Sequence, residues 1–136
     1  MAEDPEVLQN TDDTPQVIVV AVDTSNSARR ILAMAARIAR SLPESRLHVV
    51  HVFRHSRMDK HVPNSDAMHD AKESLEAHVR SAKRQCRNEV QAHFYVGDPT
   101  GEVLKACTEW KADLLVIGTH DYKGFERFLL GSIAET

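Results

Sequence analysis

Apolar residues along this chain fall into short runs separated by longer stretches of helical period. Val17-Ile18-Val19-Val20-Ala21-Val22 and Leu114-Leu115-Val116-Ile117 are continuous apolar runs, as expected of strands covered on both faces. Leu47-His48-Val49-Val50-His51-Val52-Phe53 is nearly continuous. Val90-Gln91-Ala92-His93-Phe94-Tyr95-Val96 alternates instead, the pattern of an edge strand with a wetter face. Between them, Ile31, Leu32, Ala35, Ile38, Ala39 and Leu42 repeat on one helical face. Ala67, Ala71, Leu75, Val79, Ala82 and Cys86 do so in a longer helix, from Asp66 to about Arg87. Val103, Leu104, Cys107 and Trp110 mark a third helix, with Asp98 as its N-cap and Pro99 at its first position.

Strands alternating with helices imply an α/β fold, an open parallel sheet sandwiched by helices through right-handed crossovers. The alternating third strand belongs at an edge, and the first and fourth, the most apolar, are neighbours in the centre. The predicted order is therefore 3-2-1-4, a Rossmann-like or flavodoxin-like arrangement. Its switch point lies between strands 1 and 4, and ligands of such sheets bind outside the carboxyl ends of the strands there. Asp23 and the segment starting at Gly118 occupy those ends. The chain stops at Thr136, with room after Gly131 to begin a helix but not to add another strand. A fifth strand is expected to be missing, leaving strand 4 with an unpaired edge that favours association.

At 136 residues the chain is one domain, and 42% hydrophobic content is enough for a core. Residues 1–15 carry Glu3, Asp4, Glu6, Asp12 and Asp13 and no Lys or Arg, and are read as an acidic, flexible tail ahead of a domain at 16–136. A net charge of −3 gives no basic excess for nucleic acid. Neither a secretory leader nor a membrane-span-length run appears, so a cytoplasmic protein is expected. Cys86 and Cys107 form no CxxC pair and read as reduced packing residues. The eight histidines lack metal-ligand spacing, so no metal site is assigned, and His48 and His51, three apart in one strand, should face opposite ways. The loop from Arg54 to His61 is rich in titratable groups and reads as a solvated connection or a lid over the ligand end of the sheet. No GxxxxGK loop, GxSxG elbow or Cys/His nucleophile pair is present, so an enzyme is not expected.

Three stretches together resemble the universal stress protein family: VIVVAVDTSNSARRILAMAARIA, LHVVHV and VGDPTGEVLKACTEWKADLLVIGTHDYKGFERFLLGSIAE. Members that bind ATP end in Gly, two residues, Gly, nine residues, then Gly-Ser or Gly-Thr. Gly118 matches the first position and Gly131-Ser132 the last pair, while Asp121 stands where the middle glycine belongs. The resemblance implies ATP or a related adenine nucleotide as ligand, with Asp23 on the adenosine, the Val52 backbone on the adenine and Gly118 at a close approach. Gly131 and Ser132 would hold phosphates, which a helix N-terminus suits. Lys123 and Arg127 would neutralise them, and His120 would touch phosphate or only shape the turn. Asp121 adds a negative charge there, opposed unless magnesium bridges it to the phosphates. Two further readings stay open: a stress protein without nucleotide binding that acts as a homodimer or by docking to another protein, and a slow ATPase. Asp23 as a helix cap, Gly118 as a turn residue and Gly131-Ser132 as a cap are the purely structural alternatives.

Overall fold

The computed structural model describes residues 16–23, 27–54 and 65–118. Its elements run β1 (Val17–Ala21), α1 (Ser27–Arg40), β2 (Arg46–Arg54), α2 (Ser65–Gln85), β3 (Glu89–Gly97), α3 (Pro99–Glu109) and β4 (Leu114–Ile117). All three strand pairings are parallel and the order is β3-β2-β1-β4, as the apolar pattern predicts. Among the described residues, β4 pairs with β1 alone. The acidic tail and everything after Gly118 lie outside the described residues, as does the Arg54–His61 loop beyond Arg54 itself.

Two cores flank the sheet. On one face, Ile18, Val20, Leu47 and Val49 pack beneath Leu32, Ala35 and Ala39 of α1 and Leu75, Val79 and Ala82 of α2. On the other, Val19, Ala21, Val50 and Val52 pack beneath Val103, Ala106 and Cys107 of α3. The chain winds β1–β2–β3 with helices on the first face, then crosses beneath the sheet through α3 to place β4 on the far side of β1. The switch point therefore falls between β1 and β4. Period-two alternation sends His51 to the first face and His48 to the second.

Local chemistry fixes the ends of these elements. Asp98 is extended and its side chain accepts from the Gly101 N–H at 2.9 Å, with Pro99 opening α3. Gly97, at φ +152°, turns β3 into that cap, and a Cβ there would stand 3.1 Å from Glu102. Asp113 ties β1 to the entry of β4: its Oδ2 accepts from Gln16 N–H at 2.9 Å and Val17 N–H at 3.0 Å. Asn88 bridges the loops at the amino end of the sheet, donating to the carbonyls of Leu42 (3.1 Å) and Ser45 (2.9 Å).

Three details differ from the periodicity reading. Ala67 is exposed rather than on the core face. Leu42 packs on the core from the turn after α1, and Cys86 from just beyond α2.

Candidate functional site

The carboxyl ends of β1 and β2 and the first turns of α2 enclose a cleft of about 640 Å³. That lies within the range of about 300–1,000 Å³ typical of small-molecule sites. Asp23, two residues past β1, forms one wall. His51, Val52, Phe53 and Arg54 form the floor at the end of β2. Opposite them, Ala67, Asp70, Ala71 and Ser74 line the cleft from α2, and Pro99 closes it from α3. The α2 residues fall at i, i+3, i+4 and i+7, one face of a helix.

Backbone geometry makes the end of β2 a recognition edge. The β1–β2 register ends at Ala21–Val50, and the Val22 N–H donates to the Val50 carbonyl at 2.9 Å. Backbone groups of a strand alternate sides residue by residue. Val52, two residues on, therefore directs its N–H and C=O toward the β1 side, beyond the last paired residue of β1. The Val22 carbonyl is occupied by a side chain, accepting from His51 Nδ1 at 2.8 Å. This bond fixes the tautomer of a buried histidine, which also packs on Phe94 at 5.7 Å between ring centres.

Charge in the cleft is mixed, with Asp23 and Asp70 against Arg54. Beside it, His78 of α2 has its Nε2 buried with no hydrogen-bond partner among the described residues. Burial pushes its pKa down, Arg29 and His51 add to that, and Asp23 opposes it. The field of Asp23 thus reaches His78.

Of the residues expected at the site, the fold brings Asp23 and Val52 together on one cleft. Gly118 follows β4, directly beyond the register pair Ala21–Ile117. It lies outside the cleft lining, and a Cβ there would stand 3.3 Å from Cγ1 and Cδ1 of Ile31. His120, Asp121, Lys123, Arg127, Gly131 and Ser132 lie outside the described residues. Asp70, Ser74 and His78 were missed. Helical phase from Ala67 and Ala71 could have placed Asp70 and Ser74 on the right face, but not told that this face looks into a cleft. Among the described residues, no three His, Cys, Asp or Glu side chains are grouped to hold a metal ion. Nor is any described helix long and apolar enough to cross a membrane.

Comparison with known proteins gives a consistent picture. The model of the universal stress protein family matches residues 15–136. A curated universal stress protein of Methanocaldococcus jannaschii is 41% identical over 46 residues. That match spans 34% of this chain and 27% of the relative's length. The universal stress protein of Archaeoglobus fulgidus, solved in complex with dAMP, is 30% identical, with a TM-score of 0.62 over 88% of this chain and 86% of its own. A family protein from Burkholderia pseudomallei superimposes with a TM-score of 0.69 at 25% identity, over 85% of this chain and 88% of its own.

Proposed function

The chain belongs to the universal stress protein family, and on that premise we propose that it binds an adenine nucleotide in the cleft between β1, β2 and α2. The carrying observation is that Asp23 and Val52, which the family pattern assigns to the adenosine, line one cleft of suitable size at the carboxyl end of the sheet. The A. fulgidus protein, solved with dAMP, supports the ligand class.

Each residue has a physical task in this reading. The Val52 N–H and C=O offer the donor–acceptor pair that an adenine edge requires. The Asp23 carboxylate accepts from ribose hydroxyls. With Asp70 and Asp23 against a single Arg54, the cleft itself does not attract phosphate. The phosphates therefore point away from it, toward Gly118, after which the sequence carries Lys123, Arg127, Gly131 and Ser132. ATP, with or without magnesium, is the nucleotide we assign first. Asp121 opposes it by about 1–4 kcal/mol of charge repulsion, depending on screening, or about one to three decades in affinity.

Binding would act by stabilising the folded state and biasing association in the cytoplasm during stress, with no chemistry required. Asp121 specifically favours a second reading, in which nucleotide affinity is lost and the protein acts as a homodimer or by docking to another protein. A slow ATPase is the weakest of the three, since the sequence carries no catalytic motif that would activate water.

Calorimetric titration of ATP and AMP, with and without magnesium, tests the proposal. The protein should bind at micromolar levels, Asp23→Ala should weaken both ligands, and Asp121→Gly should tighten ATP more than AMP. Phosphate release should stay at background. Silence from both nucleotides in the unsubstituted protein and in Asp121→Gly would overturn the nucleotide reading. Binding by Asp121→Gly alone would transfer the function to protein contacts.

A further inference from the structure

The opposite end of the sheet carries a second surface with no part in nucleotide binding. Helices antiparallel to their strands bring the C-termini of α1 and α2 to the amino ends of β1–β3. There Arg40, Lys83, Arg84 and Arg87, with Pro43 and Asn88 among their neighbours, line a cleft of about 490 Å³ that has no acidic residue in its lining. Arg40 Nη1 donates to the Gln85 carbonyl at 3.1 Å, tying the two helix ends together across it. Among the described residues, none of these four cations is in an ion pair. Glu44 and Glu89 are the acids nearest along the chain and both are exposed, with Glu89 Oε2 accepting from Gln91 at 2.7 Å. The two helix C-termini supply about half a negative charge each, far less than four cations.

The charge missing here is concentrated elsewhere in the same chain. Residues 1–15 hold five of the 20 acidic residues and none of the 17 Lys and Arg. Their point of attachment is at the same end of the sheet as the basic cleft. The Gln16 carbonyl accepts from Arg46 N–H at 2.8 Å, beside the first residue of β2. The Ser45 and Asn88 loops that edge the cleft adjoin that position. Fifteen residues span up to about 50 Å, ample for a cleft on the adjoining edge. Tethering raises the effective concentration of the tail to the millimolar range.

We propose that the acidic segment 1–15 docks in the basic cleft formed by the C-terminal ends of α1 and α2 of its own chain. The cleft is then a seat for an acidic peptide, and a partner bearing such a peptide would have to displace the tail. The contact is electrostatic and weakens with salt.

Nitrogen-15 spectra of the full chain test this, compared with a variant carrying Glu3→Gln, Asp4→Asn, Glu6→Gln, Asp12→Asn and Asp13→Asn. Neutralising the tail should shift the Arg40, Arg84 and Arg87 Nε–H signals and the amides of 83–88, independently of protein concentration. A peptide of residues 1–15 added to the neutralised variant should restore the original positions saturably, with affinity reduced at least about tenfold by about 0.3 M salt. Lys83→Glu with Arg87→Glu should abolish the response while leaving the rest of the spectrum folded. Changes confined to the tail and β1 would overturn the proposal. Shifts that vanish on dilution would also overturn it, assigning the seat to the tail of a second copy, and a peptide response away from the cleft would refute the assigned surface.

Discussion

Acidification should destabilise this protein through its histidines, and a pair on the α3 face of the sheet sets the minimum effect. His48 Nδ1 and His93 Nε2 are 2.8 Å apart, so one nitrogen donates a hydrogen and the other accepts it. Protonating both rings would bring two N–H donors nose to nose, so the contact tolerates at most one added proton. Burial pushes the pKa of His48 down; the charge of His93 adds to that, with Glu89 opposing and Arg46 adding a little. Burial likewise lowers His93, with Glu109 opposing. On the other face, burial lowers His78, helped by Arg29 and His51 and opposed by Asp23. The sign follows from proton counts. Below about pH 6.5 the unfolded chain takes up protons on these rings more readily than the native state does. Stability from the neutral rings is thus complete above that pH and is lost as pH falls toward their folded pKa values. Each proton withheld costs about 1.4 kcal/mol per pH unit. The pair alone therefore implies a slope that approaches about 1.4 kcal/mol per pH unit well below pH 6.5, where the unfolded chain holds a proton on both rings. Against a typical domain stability of about 5–15 kcal/mol, that is a large effect. Trp110, the single tryptophan, stacks on His48 at 4.8 Å, lies tilted against His93 at 4.6 Å and reports the contact by fluorescence. Urea titrations at steps from about pH 7.5 to about pH 5 should show the slope. His93→Gln should reduce it by about 1.4 kcal/mol per pH unit. A flat wild-type profile, or an unchanged slope in His93→Gln, would rule out the His48–His93 contact as the source of acid sensitivity.

Asp113→Ala should lower stability by about 2 kcal/mol, because the Gln16 and Val17 N–H groups lose a charged acceptor. Urea unfolding should show a lower midpoint at unchanged m, and Asp113→Asn should recover part of the loss. Cys107 is buried and its thiol is pushed up to about 11, with desolvation as the cause, while the Cys86 Sγ donates to the Ala82 carbonyl at 3.5 Å. Neither thiol should react with a thiol reagent at about pH 8 until the protein is unfolded; rapid labelling of the native state would contradict this packing.

What could be read from the sequence depended on how local the cause was. Continuous apolar runs at β1 and β4 exist because both faces of those strands are covered, and β3 is more polar because most of its side chains are only partly covered. The N-cap at Asp98 needs only four consecutive residues, so it was visible. By contrast, the His48–His93–Trp110 cluster joins residues up to 62 positions apart, on two strands and at the C-cap of α3. Strand alternation shows that His48 faces α3, but not which ring meets it there. The Asp113 clamp reaches 97 residues to Gln16 and has no local pattern. Half of the cleft was legible, from the strand ends that carry Asp23 and Val52. Its α2 wall was not, because Ala67 and Ala71 continue the core periodicity and nothing local shows that this helical face also lines a cleft.

Gly118 shows how the two kinds of reading interact. The family pattern places a glycine there for the ligand, and a turn after β4 would accept one equally. The fold adds a third consideration: a Cβ there would stand 3.3 Å from two carbons of the half-buried Ile31 side chain, which would have to give by a few tenths of an ångström. Packing against Ile31 thus favours a small residue at this position independently of any ligand. Its presence therefore does not discriminate between a nucleotide-binding protein and one that has lost the ligand. Gly131-Ser132 and the departure at Asp121 carry that distinction. Asp121→Gly isolates it, because it restores the motif without touching the Gly118–Ile31 contact. A gain in ATP affinity with unchanged AMP affinity would locate Asp121 at the phosphates. Equal gains for both ligands would mean that the substitution acts on the shape of the cleft instead.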